Sequence, residues 1–163
     1  MIDVHALVED EWPLWRRLRL EALSEAPYAF GSTLAEWQGA GDREERWRAR
    51  LRDVPYNAVA WLHGVPAGMI GATAPDDSGR SELISLWVAP WARGRRVGDA
   101  LIEAVQAFAA ARGAQALTLS VREDNGLAQA LYRRHGFVPA GVVEDDGGPP
   151  ELQMICALAS GSR

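Results

Sequence analysis

SELISLWVAPWARGRRVGDALIEAV, residues 81–105, decides the fold of this chain, because it reads as a strand, a basic turn and a helix. Leu83 to Val88 is an apolar, β-favouring run that Pro90 cannot continue. Apolar residues then recur at helical spacing from Ala100 to about Arg112. Residues 93–98, between the two, contain three arginines and two glycines. Free amides at a helix N-terminus carry partial positive charge, so this turn predicts a site for phosphate.

Two familiar phosphate-binding loops are excluded. The nucleotide triphosphatase loop needs G-x-x-x-x-G-K-[ST], and this chain has no lysine, all 17 of its basic residues being arginine. Gly94 and Gly98 do not supply the G-x-G-x-x-G of a dinucleotide-binding turn. Taken alone, the loop could equally be a solvated basic turn without a ligand.

Length and composition predict one globular domain, residues 1–158, with a short tail at 159–163. The net charge of −5 argues against a general nucleic-acid binder. Early acidic residues argue against a signal peptide, and the sequence has no 18-residue apolar stretch to span a membrane, so we expect a soluble cytoplasmic protein. The three histidines show no metal-ligand spacing, and Cys156 reads as a buried core residue.

Periodicity and turn residues predict an alternation of strands and helices along the chain. Asp42 with Glu45 predicts a capping box at the start of a helix. The predicted helices are 13–25, 33–37, 42–51, 97–112 and 125–135, and the predicted strands are 2–7, 57–62, 67–74, 83–88, 116–121, 137–144 and 152–158. Arginines 43, 46, 48, 50 and 52 are interpreted as a solvated helix face with i,i+4 ion pairs.

A second motif lies at 125–137, N-x-x-A-x-x-L-Y-x-x-x-G-F. Together with a strand ending in V-x-P and a loop of the form [QR]-x-x-G-x-[GA], it resembles the GCN5-related N-acetyltransferases (GNAT). Arg93, Gly98 and Val88-Ala89-Pro90 match that pattern, whereas Arg96 stands where the family has its first glycine. The resemblance spans about residues 1–158.

The resemblance implies an α/β (α+β) fold, a mixed, mostly antiparallel sheet of six or seven strands with helices on both faces. It also implies acetyl-CoA as cofactor and a direct ternary-complex transfer to an amine of a small molecule or a peptide. Backbone amides of Leu86 and Val88, freed where two strands separate, would hold pantetheine and the thioester oxygen. The implied cofactor contacts are Leu86, Trp87, Val88, Arg93, Gly94, Arg95, Arg96, Val97, Gly98, Asp99, Asn125 and Tyr132.

Two side chains are the candidate catalytic residues. Tyr132 would be the general acid, since a phenol with a pKa of about 10 can protonate a departing thiolate with a pKa of about 8.5. Glu82 would be the base, acting through water, because strand alternation puts it on one face with Ile84, Leu86 and Val88. The alternatives are a packed aromatic for Tyr132 and an exposed strand residue for Glu82.

An aromatic group after the first helix, Tyr28, Phe30 and Trp37, predicts a wall of the acceptor pocket. The preceding R-L-R-L-x-A-L resembles the first-helix region of many acetyltransferases. The alternative is that Tyr28 and Phe30 simply plug the core.

Two rival functions stay open at this level: a module that binds acyl-CoA without turnover, and a plain nucleotide-binding domain. Dimers are common among proteins similar to this one, so a homodimer is a further expectation.

Overall fold

The computed structural model describes residues 1–27, 30, 33–144 and 148–159; the predicted tail lies almost wholly outside these residues. The helices are α1 Trp12–Glu25, α2 Leu34–Trp37, α3 Glu44–Asp53, α4 Val97–Ala111 and α5 Gly126–Arg134. The strands are β1 Ile2–Ala6, β2 Tyr56–Leu62, β3 Val65–Ala72, β4 Arg80–Val88, β5 Ala116–Arg122, β6 Val138–Val143 and β7 Glu151–Ala157. Single-turn 3-10 helices precede α1, α3 and α4.

The seven strands form one sheet in the order β1-β2-β3-β4-β5-β7-β6. Every neighbouring pair is antiparallel except β4 and β5, which are parallel. This confirms the predicted mixed, mostly antiparallel sheet. Within the described ranges no helix is both long and apolar enough to cross a bilayer.

Each face of the sheet is covered by helices, as expected. The apolar face of α4, with Leu101, Ile102 and Val105 buried, packs on the central strands of one face. On the other face Trp15 of α1 and Trp47 of α3 are fully buried with Met69 and Trp87 of the sheet. Burial of these large side chains is the main stabilising contribution to the two layers.

The sheet opens between β4 and β5. Their parallel pairing joins Arg80–Glu82 to Ala116–Thr118 and goes no further. Beyond Glu82, β4 stays paired to β3 as far as Val88, while β5 stays paired to β7 as far as Arg122. The two strands therefore separate toward their C-terminal ends and leave a gap with unpaired backbone edges.

A bulge at Ser85 changes the direction of the β4 side chains. Ser85 has φ +59°, and the register of β4 on β3 shifts between Ile84 and Trp87. Leu83, Leu86 and Val88 all pack toward the α4 face. Glu82 precedes Leu83 in the strand and so points to the opposite face. The prediction that Glu82 shares a face with Leu86 and Val88 is therefore wrong, because the extra residue reverses the alternation.

Asp42 does not form the predicted capping box. The helix begins at Glu44 with Arg43 as its N-cap, and no side chain caps it. Asp42 instead accepts hydrogen bonds from Trp47 Nε1 at 2.8 Å and from Arg16 Nε at 2.7 Å. Hydrogen bonds from Arg16 and then Trp47 lower the pKa of Asp42 to about 2. Asp42 thus holds α1 against α3.

Candidate active site

The first turn of α4 presents free amides. The first helical hydrogen bond runs from Ala100 N–H to the Arg96 carbonyl at 3.1 Å. The amides of 97–99 precede that bond, so they have no carbonyl of a preceding turn to pair with. The loop before them holds Gly94 at φ +76°, and Arg95 and Arg96 are exposed. Free amides and adjacent cations together form a site suited to a diphosphate.

Arg96 has the left-handed backbone conformation, with φ +68° and ψ +16°, and it is the N-cap of α4. This is the position where the resemblance expects glycine. A left-handed conformation costs a non-glycine residue roughly 1–2 kcal/mol. Arg96 thus adopts a backbone conformation that glycine takes without this cost, and its side chain lies in solvent.

Gly98 is the point where α4, α5 and β4 meet. A Cβ on Gly98 would lie 3.1 Å from Leu131 Cδ2 and 3.7 Å from Val88 Cγ2. The absence of a side chain therefore allows the start of α4 to approach both neighbours closely.

The backbone edge of β4 that faces the gap belongs to alternate residues. Ala89 N–H donates to the Ala67 carbonyl on β3 at 2.8 Å, so its amide points away from β5. Alternation along an antiparallel strand then directs the Val88 and Leu86 amides toward the gap. Trp87 pairs with Met69 of β3, and its indole is buried on the opposite face. The position of this side chain therefore gives no support to the predicted cofactor contact of Trp87.

Arg93 is turned away from the helix start. Its guanidinium forms an ion pair with Glu25 of α1, and its Nε donates to the Val88 carbonyl at 3.1 Å. Trp87 Nε1 donates to the same Glu25 at 3.0 Å. Partial burial opposes ionisation of Glu25, but these two donors outweigh it and lower its pKa. Arg93 thus fastens the loop to α1 and β4, and its main chain is the part left for a ligand.

Two further predicted cofactor residues have structural partners. The Asp99 carboxylate binds His135 Nε2 at 2.7 Å and Arg134 Nη2 at 2.9 Å, which joins the start of α4 to the end of α5. Asn125 caps α5, its side-chain oxygen accepting from Ala128 N–H at 3.2 Å. Asp99 therefore has only its amide to offer a ligand.

Tyr132 lies on the inner face of α5, 8% exposed, with its ring edge-on to Phe137 at 5.8 Å. Burial raises the pKa of Tyr132 above its ordinary value. The phenol therefore keeps its proton throughout the physiological range. This is the protonation state that a general acid needs.

Glu82 lies at the last paired position of β4, where the gap begins. Burial, and then repulsion from Glu151, raise the pKa of its carboxyl group. Glu82 as a whole residue is exposed on the face opposite to α4, so the burial of its carboxyl group is only partial. A base at this place would work from the side of the sheet away from the α4 amides.

Comparison with known proteins identifies the family of this chain. A model of the acetyltransferase (GNAT) family matches residues 5–137. The chain belongs to this family.

This GNAT chain aligns with two curated relatives, and each alignment covers only part of both chains. It is 36% identical over 93 residues to an IAA acetyltransferase of Azospirillum brasilense, 56% of this chain and 60% of that one. It is 37% identical over 73 residues to a mycothiol acetyltransferase of Beutenbergia cavernae, 45% of this chain and 25% of that one. The chain thus spans less than two thirds of the length of either relative.

Solved structures share the whole fold of this GNAT protein. A GNAT acetyltransferase from Streptococcus pneumoniae has a TM-score of 0.76 at 19% identity, covering 98% of this chain and 100% of that one. A ribosomal L7/L12 α-N-protein acetyltransferase in complex with coenzyme A has a TM-score of 0.76 at 15% identity, covering 96% and 94%. At these identities the likeness shows the fold alone.

The predicted aromatic wall is only partly described. Tyr28 lies outside the described residues. Phe30 is partly buried and its ring lies 4.6 Å from the Arg19 guanidinium carbon. Trp37 packs on Trp47 with ring centroids 4.5 Å apart, so it belongs to the core of the α1–α3 face. Acceptor contacts by these side chains stay a prediction, and Phe30 is the better placed of the two described ones.

Sequence reasoning missed the arginines of this face. Arg50, interpreted as part of a solvated helix face, is turned inward, where it donates to Asn57 and Ser85. Arg48 does form the expected i,i+4 pair with Glu44 at 2.8 Å. Arg50 lies one turn before Val54 and on the same side of the helix as Trp47 and Leu51. This position is the signal that could have indicated that Arg50 faces inward. Arg19 of α1 is likewise buried.

Proposed function

We propose that the protein transfers the acetyl group of acetyl-CoA to a primary amine by direct attack in a ternary complex. The supporting observation is the gap between β4 and β5, which opens after Glu82 and extends to Val88, beside which the free amides of α4 lie. The cofactor fits the residues present, because the first turn of α4 has free amides and the exposed Arg95 and Arg96 add positive charge. When bound, acetyl-CoA would supply an activated acyl carbon.

Residues of this chain would bind and orient the cofactor. The amides of 97–99 would accept the diphosphate, and the Leu86 and Val88 amides would bind the pantetheine arm and polarise the thioester oxygen. An amide fixed within a strand is already oriented, so little reorganisation accompanies its use.

Two proton transfers complete the reaction. The attacking amine must lose a proton, which Glu82 would take through water. A carboxylate is much less basic than an amine, and the raised pKa of Glu82 reduces this difference. As the new C–N bond forms, the C–S bond breaks, and Tyr132 would give its proton to the departing thiolate. A covalent enzyme intermediate is not part of this scheme: Cys156 is buried, with its thiol against the His135 carbonyl at 3.5 Å.

The acceptor is proposed to be a small molecule or a peptide amine, and the domain is proposed to be the single unit 1–158. A cytoplasmic location and a homodimer stay predictions of the same kind.

The test is to mix the protein with acetyl-CoA and a panel of amines and to follow free thiol. Acetyltransfer predicts thiol release that depends on an amine. A non-catalytic acyl-CoA-binding module predicts tight binding without release for any acceptor. A plain nucleotide-binding domain predicts that ATP protects the fold against heating as well as acetyl-CoA does.

A further inference from the structure

Two arginines, one from α1 and one from α3, are turned toward the inside of the α1–α3 face. Arg19 of α1 is 6% exposed, and its Nη1 is buried without a hydrogen-bond partner. Arg50 of α3 lies against the sheet, donating to Asn57 Oδ1 at 2.9 Å and to Ser85 Oγ at 3.0 Å. Arg19 is near enough that its charge helps to lower the pKa of Arg50.

Within the described part of the chain, neither arginine has a carboxylate within ion-pair distance. The arginines around them do: Arg16 pairs with Asp42, and Arg48 pairs with Asp10. Burial lowers the pKa of Arg19 to about 10, and burial with repulsion from Arg19 lowers that of Arg50 to about 10. Both groups therefore stay charged at neutral pH, and a buried charge with a half-buried like charge near it and no counter-ion is unfavourable.

The surrounding backbone is shaped to hold Arg50 in this place. A Cβ on Gly71 of β3 would lie 2.7 Å from Arg50 Nη2, so only glycine leaves room for the guanidinium. Ser85, which accepts from Arg50, has φ +59°, a conformation that serine rarely adopts. Backbone strain at Ser85, close to a glycine that leaves space for a charged side chain, is typical of a functional site.

This arginine pair borders the proposed reaction centre. Ser85 directly precedes Leu86, whose amide faces the β4–β5 gap. Glu82 is on the same face of the sheet as the pair, opposite to α4. An acceptor bound on this face would have its amine near the gap and any acidic group near the arginines.

We propose that the acceptor amine carries a carboxylate that binds between Arg19 and Arg50, so that the substrate class is small amino acids or similar amino-carboxylates. This inference rests on the proposed acetyltransfer. A carboxylate matches the planar fork of a guanidinium and would supply the missing negative charge. The Phe30 ring lies 4.6 Å from the Arg19 guanidinium carbon, so a bound carboxylate would take its place beside Arg19.

The test compares amino acids with their carboxamides, which keep the amine and the side chain but lack the negative charge of the carboxylate. Thiol release is measured for both series with the wild type, Arg19→Met and Arg17→Met. Arg17 is on the same helix and exposed, so it is the matched control for loss of one arginine. We expect acids to exceed amides in kcat/KM by about 30-fold, and Arg19→Met but not Arg17→Met to remove that preference.

Calorimetry of the amino acids with CoA-saturated protein gives a readout independent of turnover. If amino-acid binding releases heat and Arg19→Met abolishes that heat, the inference is supported, even when no acceptor leads to thiol release. The absence of thiol release would contradict only the proposed transfer. Equal turnover of acids and amides, or an unchanged preference in Arg19→Met, overturns the inference and leaves acetyltransfer standing. Arg19→Met should also match or exceed the wild type in apo Tm, because it removes an unpaired buried charge; a lower Tm points to a structural role and overturns it too.

Discussion

Arg50 donates a hydrogen bond from its Nη2 to Oγ of Ser85 at 3.0 Å, joining α3 to the bulge of β4. The bulge is what directs Leu86 and Val88 toward α4 and leaves Glu82 on the other face. One side-chain contact therefore connects the α1–α3 face of the sheet, where the acceptor is proposed to bind, to the strand whose amides are proposed to hold the thioester. The proposed cofactor side and the proposed acceptor side are thus separated by a single layer of backbone.

Gly98→Val should weaken acetyl-CoA binding about tenfold, because the new side chain would push the start of α4 away from Leu131 and Val88. Calorimetric titration of the variant with acetyl-CoA measures the effect. Gly126→Val is the control, since a Cβ at that glycine meets nothing within 4 Å. Equal Kd values for both variants would show that close approach at Gly98 does not matter for binding.

How far the sequence could predict this structure is clear from β4 and α4. Pro90, the glycines and the apolar spacing showed where the strand ended and the helix began, and the structure has α4 at Val97–Ala111. The bulge could not be predicted, because a serine at positive φ has no signature and is held by a distant arginine. Glu82 was assigned to the wrong face for that reason.

The inward arginine of α3 was hidden for a similar reason. Alternating arginines and glutamates are typical of a solvated helix face, and Arg48 behaves in that way. Arg50 differs because it lies on the side of Trp47 and Leu51, where Gly71, on a strand distant in sequence, leaves space for it. Such space is a property of the packed fold and not of the local pattern.

Arg96→Gly should raise the free energy of unfolding by about 0.5 kcal/mol. Glycine removes the cost of the left-handed conformation, roughly 1–2 kcal/mol, but adds flexibility to the unfolded chain. Chemical denaturation measures the change. Arg95→Gly is the matched control, since Arg95 has no positive φ and should lose stability on the same change. A loss in both variants would mean that the Arg96 backbone is not strained.

Tyr132→Phe should lower kcat about 100-fold with little change in the Kd of acetyl-CoA, because it removes the proposed proton donor and keeps the ring packed on Phe137. Steady-state thiol release and calorimetry measure the two quantities. Tyr56→Phe serves as control, since its ring stacks on Phe108 within the β2–α4 layer. If both variants retain full kcat, Tyr132 is only a packed aromatic residue.

The rate should fall at acid pH through protonation of Glu82. Burial and then Glu151 raise the pKa of Glu82, so the acid limb of kcat/KM should lie above the usual value for glutamate. A base works only when ionised, so activity is present above this pKa and lost below it. Glu151→Gln removes the repelling charge and should move the limb to lower pH. An identical limb in Glu151→Gln and in Glu82→Gln would remove Glu82 from the mechanism.

Calorimetric titration of the protein with acetyl-CoA, beside 3′-dephospho-acetyl-CoA and ATP, tests the central claim most directly, namely that a diphosphate-bearing pantetheine cofactor binds at the start of α4. We predict that acetyl-CoA binds at one site per chain and that 3′-dephospho-acetyl-CoA keeps most of this affinity. ATP should bind much more weakly, and Gly98→Val should lower the affinity for acetyl-CoA. No heat with acetyl-CoA, or binding indifferent to Gly98→Val, would contradict it.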